Sequence, residues 1–181
     1  MKNQLVAAFL LTAALPLRAA LDYTRYEHPR GDYSVEYPSN WKLSYGIQTV
    51  WFRPVARKDV VAKTSMARYP INKNDPVTPK DFLARIKKNA APIKKVTAER
   101  DLTVSGLAAT RLELTETVQL SRRHQPLPGP LREVYVVLPR GGDYYVLKLE
   151  GIGAAFEEAL PEFERMVGTL RLPAKPATAA P

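Results

Sequence analysis

The two histidines are the first residues to consider for chemistry. His28 precedes Pro29, and His124 follows Arg122 and Arg123. Neither lies near another metal-ligand type at the spacing that zinc sites or metalloproteases use, so the sequence predicts no metal site. Each histidine is interpreted as a surface loop residue. The alternative is a catalytic dyad with a carboxylate or a serine, because folding and not sequence spacing brings such groups together.

Nucleophiles and nucleotide-binding loops give no further candidates. The chain has no cysteine, which excludes thiolate chemistry and disulfides. Its serines form neither a G-x-S-x-G elbow nor an S-x-x-K dyad, and its nine glycines form neither G-x-G-x-x-G nor a Walker loop. The sequence therefore predicts no catalytic residue and no cofactor, and it favours a protein that is not an enzyme.

Carboxylates occur in pairs that would suit a hard cation or acid–base chemistry. Glu99 and Asp101 lie two residues apart in a predicted strand, and Asp32 and Glu36 stand on either side of Ser34. Solvated strand faces carry the same pattern, and this interpretation is preferred. A further acidic set on the last predicted helix is likewise interpreted as a solvated face; it comprises Glu157, Glu158, Glu162 and Glu164.

A basic, proline-rich loop is the most distinctive surface feature of the sequence. Residues 121–130 (SRRHQPLPGP) carry Arg122, Arg123 and His124, and Arg132 follows. A cationic loop on a rigid sheet is a reasonable docking site for an acidic protein partner, so these four residues are the predicted partner-binding set. The alternative is an exposed loop whose charges aid solubility.

Hydrophobic periodicity predicts the elements that hold these residues. Apolar and polar residues alternate over 33–37, and the segment before it, 22–30, is interpreted as an irregular lead-in. Trp51 is assigned to the sheet core. The further predicted strands are 49–54, 60–69, 96–104, 107–118, 131–138 and 144–150.

Two helices complete the pattern. Thr78 caps a helix that runs to about Ala90, and a second helix covers about 154–167, with a kink or a break expected at Pro161 and a stop at Gly168. The apolar run 134–138 lacks alternation, as in a strand covered on both faces. The predicted fold class is α+β: an antiparallel sheet of about six to seven strands covered by helices on both sides.

Length, net charge and the N-terminal segment indicate the number of domains and the location of the protein. The chain has 181 residues and a formal charge of +9, which suits one domain with tails. Residues 1–20 have a positive start, an apolar run and small final residues, so they predict a signal peptide and an exported chain, periplasmic or extracellular; an uncleaved anchor is the alternative. Residues 173–181 are predicted to be a disordered tail. The mature chain is expected to be soluble, with at most peripheral membrane contact and no nucleic-acid partner.

The pattern Gly31-x-Tyr33-Ser34-Val35-x-Tyr37-Pro38-x-x-Trp41 resembles the first strand and turn of PsbP-like domains. The run Gly142–Leu147 and the helix that follows it are similar to the closing hairpin and helix of that family. The resemblance covers residues 21–172 and implies one α-β-α sandwich domain. The best-known members are non-catalytic extrinsic subunits of photosystem II that help retain calcium and chloride. Nothing in this chain matches a photosystem-binding extension or a metal-binding motif, so neither property is carried over.

The functional expectation joins these inferences. The chain is expected to be an exported, non-catalytic PsbP-like domain with a protein-interaction or accessory assembly role in the cell envelope. One alternative is a secreted hydrolase of unrecognised type that uses His28 or His124. Another is a protein that binds an anionic polymer or a membrane surface through the basic loop.

Overall fold

The computed structural model describes residues 21–54, 62–72, 76–90, 93–116 and 129–173. The predicted signal peptide, most of the predicted tail, and three of the four predicted partner-binding residues lie outside these ranges; the three are Arg122, Arg123 and His124. Within the described residues, no helix is long and apolar enough to cross a membrane.

The first two strands form a small sheet of their own. They are β1 (Tyr23–Glu27) and β2 (Ser34–Pro38), paired antiparallel with Tyr26 opposite Val35. The prediction that 22–30 is an irregular lead-in was therefore wrong. The reason is that only Tyr26 of β1 is buried, so the strand is held by its ladder to β2 and carries no alternating apolar signal.

Seven antiparallel strands form the main sheet, which confirms the predicted fold class. Their order across the sheet is β3-β4-β5-β9-β8-β7-β6. The bounds are β3 Lys42–Tyr45, β4 Thr49–Arg53, β5 Ala62–Pro70, β6 Lys94–Val104, β7 Leu107–Glu116, β8 Leu131–Arg140 and β9 Asp143–Ile152. β6 and β7 meet at Ser105 and Gly106, both with positive φ, as the predicted tight hairpin requires.

One helix covers each face of the main sheet. Helix α1 (Pro79–Ala90) begins at the predicted cap: the backbone N–H of Asp81 donates to Thr78 Oγ1 over 3.2 Å, and the N–H of Thr78 donates back to the Asp81 carboxylate over 3.2 Å. Helix α2 (Ala154–Thr169) continues through Pro161 and Gly168, so neither a break nor a stop occurs there.

The core has two parts because the sheet is buried on both sides. On the α2 side, Val136 and Leu147 pack with Phe163; on the α1 side, Val137 and Val146 pack with Leu83. The apolar run in β8 therefore supplies both layers, as its lack of alternation predicted. Together these layers form the expected α-β-α sandwich.

Trp51 is not a core residue. It is half-buried on the face opposite Phe52, which is the fully buried residue of β4. The Trp51 ring packs instead on Gly46 in the β3–β4 turn, where an added Cβ would lie 2.6 Å from a ring carbon. The tryptophan thus supports a turn rather than the centre of the sheet.

The strands define two ends of the main sheet that matter below. We call the end with the β3–β4 turn (46–48) and the β8–β9 turn (141–142) the basal end. At the opposite, distal end, Ala62 and Arg132 both pair with Gly151. Residues 55–61 and 117–128 connect to strands at this distal end.

Candidate functional site

A cleft of about 440 Å³ lies at the basal end. We call it the basal cleft and define it by Arg30, Asp32, Arg68, Arg140 and Asp143. Three different elements supply them: the turn before β2, strand β5, and the two arms of the β8–β9 turn. The register places Pro70 opposite Asp143, so β5 ends where β9 begins and the two aspartates can converge on one arginine.

Arg68 is the centre of the cleft and is held by both carboxylates. One terminal nitrogen donates to Asp32 Oδ1 over 2.6 Å. Its Nε and second terminal nitrogen donate to Asp143 Oδ2 over 3.1 and 2.7 Å. Because these charge-assisted bonds use all three nitrogens of the guanidinium group, Arg68 joins the small sheet's turn to the main sheet.

Arg30 and Arg140 are the cations that face outward. Arg30 is exposed, with Nε 3.7 Å from Asp32 Oδ2, and Arg140 donates one hydrogen bond to the carbonyl of Pro173. An arginine has five N–H donors, so this bond leaves most of the donors of Arg140 unused by Pro173. Three guanidinium groups against two carboxylates give the cleft a net positive charge.

Glycine backbone keeps the mouth of the cleft open. Gly31 and Gly141 have φ of 69° and 60°, a region that favours glycine, and an added Cβ at either would meet no atom within 4 Å. Solvent or a bound ligand can therefore reach the backbone beside both outward arginines.

His28 lies at the side of the cleft beside Asp32. Its Nδ1 is 3.0 Å from Asp32 Oδ2, at an angle that does not make a hydrogen bond, and its ring stacks on Tyr33 with 4.9 Å between ring centres. Burial lowers the pKa of His28, although Asp32 acts in the opposite direction. Among the described residues no hydroxyl hydrogen-bonds to this ring, so the structure brings together an imidazole and an acid without a nucleophile.

The predicted carboxylate pairs do not form sites. Lys87 Nζ contacts both oxygens of Glu99 at 3.0 Å, and Thr110 donates to Asp101 over 3.3 Å. Asp32 lies in the basal cleft, whereas Glu36 accepts from Arg165 over 3.0 Å. No group of three or more histidines and carboxylates that could hold a metal ion occurs within the described ranges.

The acidic face of α2 is not simply solvated, which corrects that interpretation. Glu162 is buried and accepts a hydrogen bond from the Tyr23 hydroxyl over 2.7 Å. Glu164 pairs with the buried Arg111 over 2.7 Å. Isolated glutamates at helical spacing give no signal of such partners, because the partners come from β1 and β7.

Arg132 is the one predicted partner-binding residue within the described ranges, and it lies at the distal end. Its guanidinium pairs with Glu157 and lies 4.1 Å from the centre of the Phe156 ring. It is half-buried. Arg132 is therefore partly occupied by contacts to α2, on the opposite end of the sheet from the basal cleft.

A row of alternating charges crosses the α1 side of the main sheet. We call it the charge ladder; in order it runs Lys63, Glu150, Lys148, Glu133, Lys94. The successive nitrogen–oxygen distances are 2.7, 2.5, 2.7 and 2.6 Å. The members lie on four strands, and each charged group pairs with its neighbour in the row. The ladder therefore stabilises the sheet, and none of its five members is left unpaired for chemistry.

The basal cleft was missed at the sequence level, although a signal for it exists. Arg30, Gly31 and Asp32 are consecutive, and Arg140-Gly141-Gly142-Asp143 repeats the same order with one more glycine. Two turns that each place an arginine and an aspartate beside glycine are candidates for one shared ion-pair cluster. The sequence does not show that Arg68 pairs with the aspartates of both turns.

Comparison with solved structures identifies the fold. The chain is similar to the solution structure of cyanobacterial PsbP from Synechocystis, with a TM-score of 0.58, 15% identity and coverage of 90% of this chain and 99% of that one. It is similar to a Pseudomonas aeruginosa protein of unknown function, with a TM-score of 0.53, 19% identity and coverage of 86% and 99%. It is also similar to the Saccharomyces cerevisiae Ran-binding protein Mog1p, with a TM-score of 0.57, 7% identity and coverage of 84% and 96%.

These likenesses show the PsbP-like fold that the sequence resemblance implied. No family model and no curated protein sequence matches the chain. At such low identities the similarity concerns the fold alone, so function has to be argued from the residues of this chain.

Proposed function

We propose that the chain is an exported, non-catalytic accessory domain of the cell envelope that binds an acidic protein partner at the basal cleft. The observation that carries this proposal is the pair of outward arginines, Arg30 and Arg140, beside open glycine backbone. Arginine binds carboxylates through paired N–H donors, which the planar guanidinium group holds in a fixed arrangement.

The geometry supports binding over catalysis. Arg68 pairs with both Asp32 and Asp143, so the residue at the centre of the cleft has a structural role. His28 has an acid beside it but no hydroxyl of a described residue as its partner. A hydrolase that uses His28 would need a nucleophile from elsewhere, and this alternative is tested below through substitution of His28.

Two further features support the proposed protein-binding role and the proposed location. A similar structure, Mog1p, is a Ran-binding protein, so the PsbP-like fold serves protein binding in at least that case. Residues 1–20 have the order of an export signal, which supports an envelope or extracellular location.

The basic loop with Arg122, Arg123 and His124, together with Arg132, is a second candidate surface. The strands that flank this loop, β7 and β8, meet it at the distal end, and Arg132 is the first basic residue of β8. Arg132 therefore lies at the opposite end of the sheet from the basal cleft. The two candidate surfaces can be separated by mutation.

A charge-reversal experiment tests the proposal. Photo-crosslinking in native envelope extract is compared for the wild-type chain and for R30E/R140E. The matched control is R85E/K88E, which makes the same change in charge on exposed positions of α1. We expect R30E/R140E to reduce partner capture at least tenfold because two bidentate carboxylate contacts are lost, and the control to retain it.

Other outcomes contradict the proposal in distinguishable ways. Loss of capture in R122E/R123E alone would move the binding site to the distal end. Capture of anionic polymer or lipid in place of protein would favour the surface-binding alternative. A turnover activity in the purified chain that H28A abolishes would show a hydrolase instead.

A further inference from the structure

An exposed apolar turn stands next to the basal cleft. Ile47, in the β3–β4 turn, is 100% exposed, and Tyr45 at the end of β3 is 63% exposed. Within the described ranges these are the most exposed large hydrophobic residues. A fully exposed isoleucine beside an exposed tyrosine is typical of a contact surface.

The turn is held in place by its surroundings. The Gly46 N–H donates to the Thr49 carbonyl over 2.7 Å, and the Trp51 ring packs against Gly46. Because the turn is bonded and supported from below, it presents Ile47 at a fixed position.

A row of aromatic contacts through the buried rings of Tyr26 and Tyr33 links the turn to the side of the cleft. The Tyr45 ring lies 6.3 Å from that of Tyr26, which lies 5.9 Å from that of Tyr33, the ring on which His28 stacks. Gln48 of the turn also lines a recess together with Arg30 and Arg68. The apolar turn therefore borders the cationic side of the cleft.

We propose that the turn and the basal cleft together recognise an extended segment of the partner in which an acidic residue adjoins a large apolar residue. The acidic side chain lies between Arg30 and Arg140, and the apolar side chain rests on Ile47 and Tyr45. This inference rests on the proposed function and specifies the partner sequence that the site selects.

Charge and shape favour such a peptide over an anionic bilayer. The cleft is concave, and Asp32 and Asp143 lie within it. A flat bilayer surface cannot enter it. A single carboxylate on a flexible peptide reaches the outward arginines and leaves the aspartates paired with Arg68.

Two fluorescent peptides of equal charge test the inference on the full mature chain. One repeats Glu-Leu-Glu, and the other has Gln in place of every Leu. We expect the Leu peptide to bind the wild-type chain about tenfold more tightly, because it buries apolar surface on the turn. I47S should remove this difference, and the control I93S, on an exposed position near the far end of β6, should preserve it.

The outcomes separate the inference from the proposed function. Equal binding of both peptides, weakened by R30E/R140E, overturns the role of the apolar turn but retains the cationic docking site. Absence of binding by either peptide at about 1 mM overturns the inference, whereas crosslinking to a protein partner would still support a binding function. Binding to phosphatidylglycerol vesicles that I47S weakens, with no peptide binding, assigns the turn to a membrane surface and overturns the inference.

Discussion

At the scale of single residues, the distinctive arrangement is the arginine held between two carboxylates. Arg68 donates to Asp32 in the turn before β2 and to Asp143, the first residue of β9. Because its own charge is compensated, the cationic character of the cleft comes from Arg30 and Arg140. Among the three arginines of the cleft, these two have no carboxylate of a described residue at hydrogen-bond distance; the Arg30 Nε lies 3.7 Å from Asp32 Oδ2.

His28 should titrate below its ordinary range. Burial lowers its pKa from 6.5, with Arg30 and Arg68 acting in the same direction and Asp32 in the opposite one. NMR titration of the imidazole should therefore give a pKa below 6.5, and D32N should lower it further. The folded state then binds fewer protons than the unfolded state, so the contribution of neutral His28 to stability is complete above pH 6.5 and declines as the pH falls towards the folded pKa. A pKa at or above that of a short peptide with the same local sequence would contradict this environment.

The sequence predicted the capping role of Thr78 but not the burial of Glu162 and Arg111. Thr78 was identified as a helix cap from the sequence, because capping is a local interaction. Glu162 and Arg111 were not recognised as buried polar residues, since each is satisfied by a partner more than forty residues away. A charged side chain is buried only where a partner compensates its charge, and hydrophobic periodicity along the sequence does not identify a distant partner.

At the scale of elements, the charge ladder holds four strands in register on the α1 side. Burial alone would raise the pKa of Glu133, but the hydrogen bonds from Lys148 and Lys94 outweigh it and lower the pKa from 4.5. Hence the ionised Glu133 carboxylate stabilises the fold above pH 4.5. This stabilisation is lost as the pH falls through the lowered pKa that Glu133 has in the folded state.

Substitution of Glu133 should show this stabilisation directly. E133Q removes the carboxylate that pairs with Lys94 and Lys148 and leaves Lys148 paired with Glu150 alone, so we expect the free energy of unfolding at pH 7 to fall by about 2–4 kcal/mol. The difference from wild type should shrink below pH 4.5, where the wild-type carboxylate becomes protonated in the unfolded chain. Urea unfolding at several pH values measures both effects. An exposed control, E27Q, should have little effect on either; a pH-independent difference for E133Q would show that its charge is not the cause.

The strands and helices were largely predictable because their signals are local. Alternation identified β2 and β4 to β7, and the unbroken apolar run identified β8 as a strand buried on both faces. β1 and β3 were missed. Both are short, and neither has more than one buried residue, so pairing with a neighbouring strand and not the pattern of apolar residues defines them.

At the scale of the whole molecule, the basal cleft and Arg132 lie at opposite ends of the main sheet. The basal cleft is framed by turns that the structure describes, whereas Arg122 and Arg123 lie outside the described residues, in the segment between β7 and β8. A partner bound at the basal cleft, as proposed above, does not cover Arg132 at the distal end.

Amide chemical shifts on titration with the Glu-Leu-Glu peptide test the central claim most directly. The account predicts that the largest changes occur at the basal end, at Gly31, Ile47, Gly141 and Gly142, with little change around Arg132. Largest changes at Arg132 and the strand ends beside it, or no change at the basal end at saturating peptide, would contradict it.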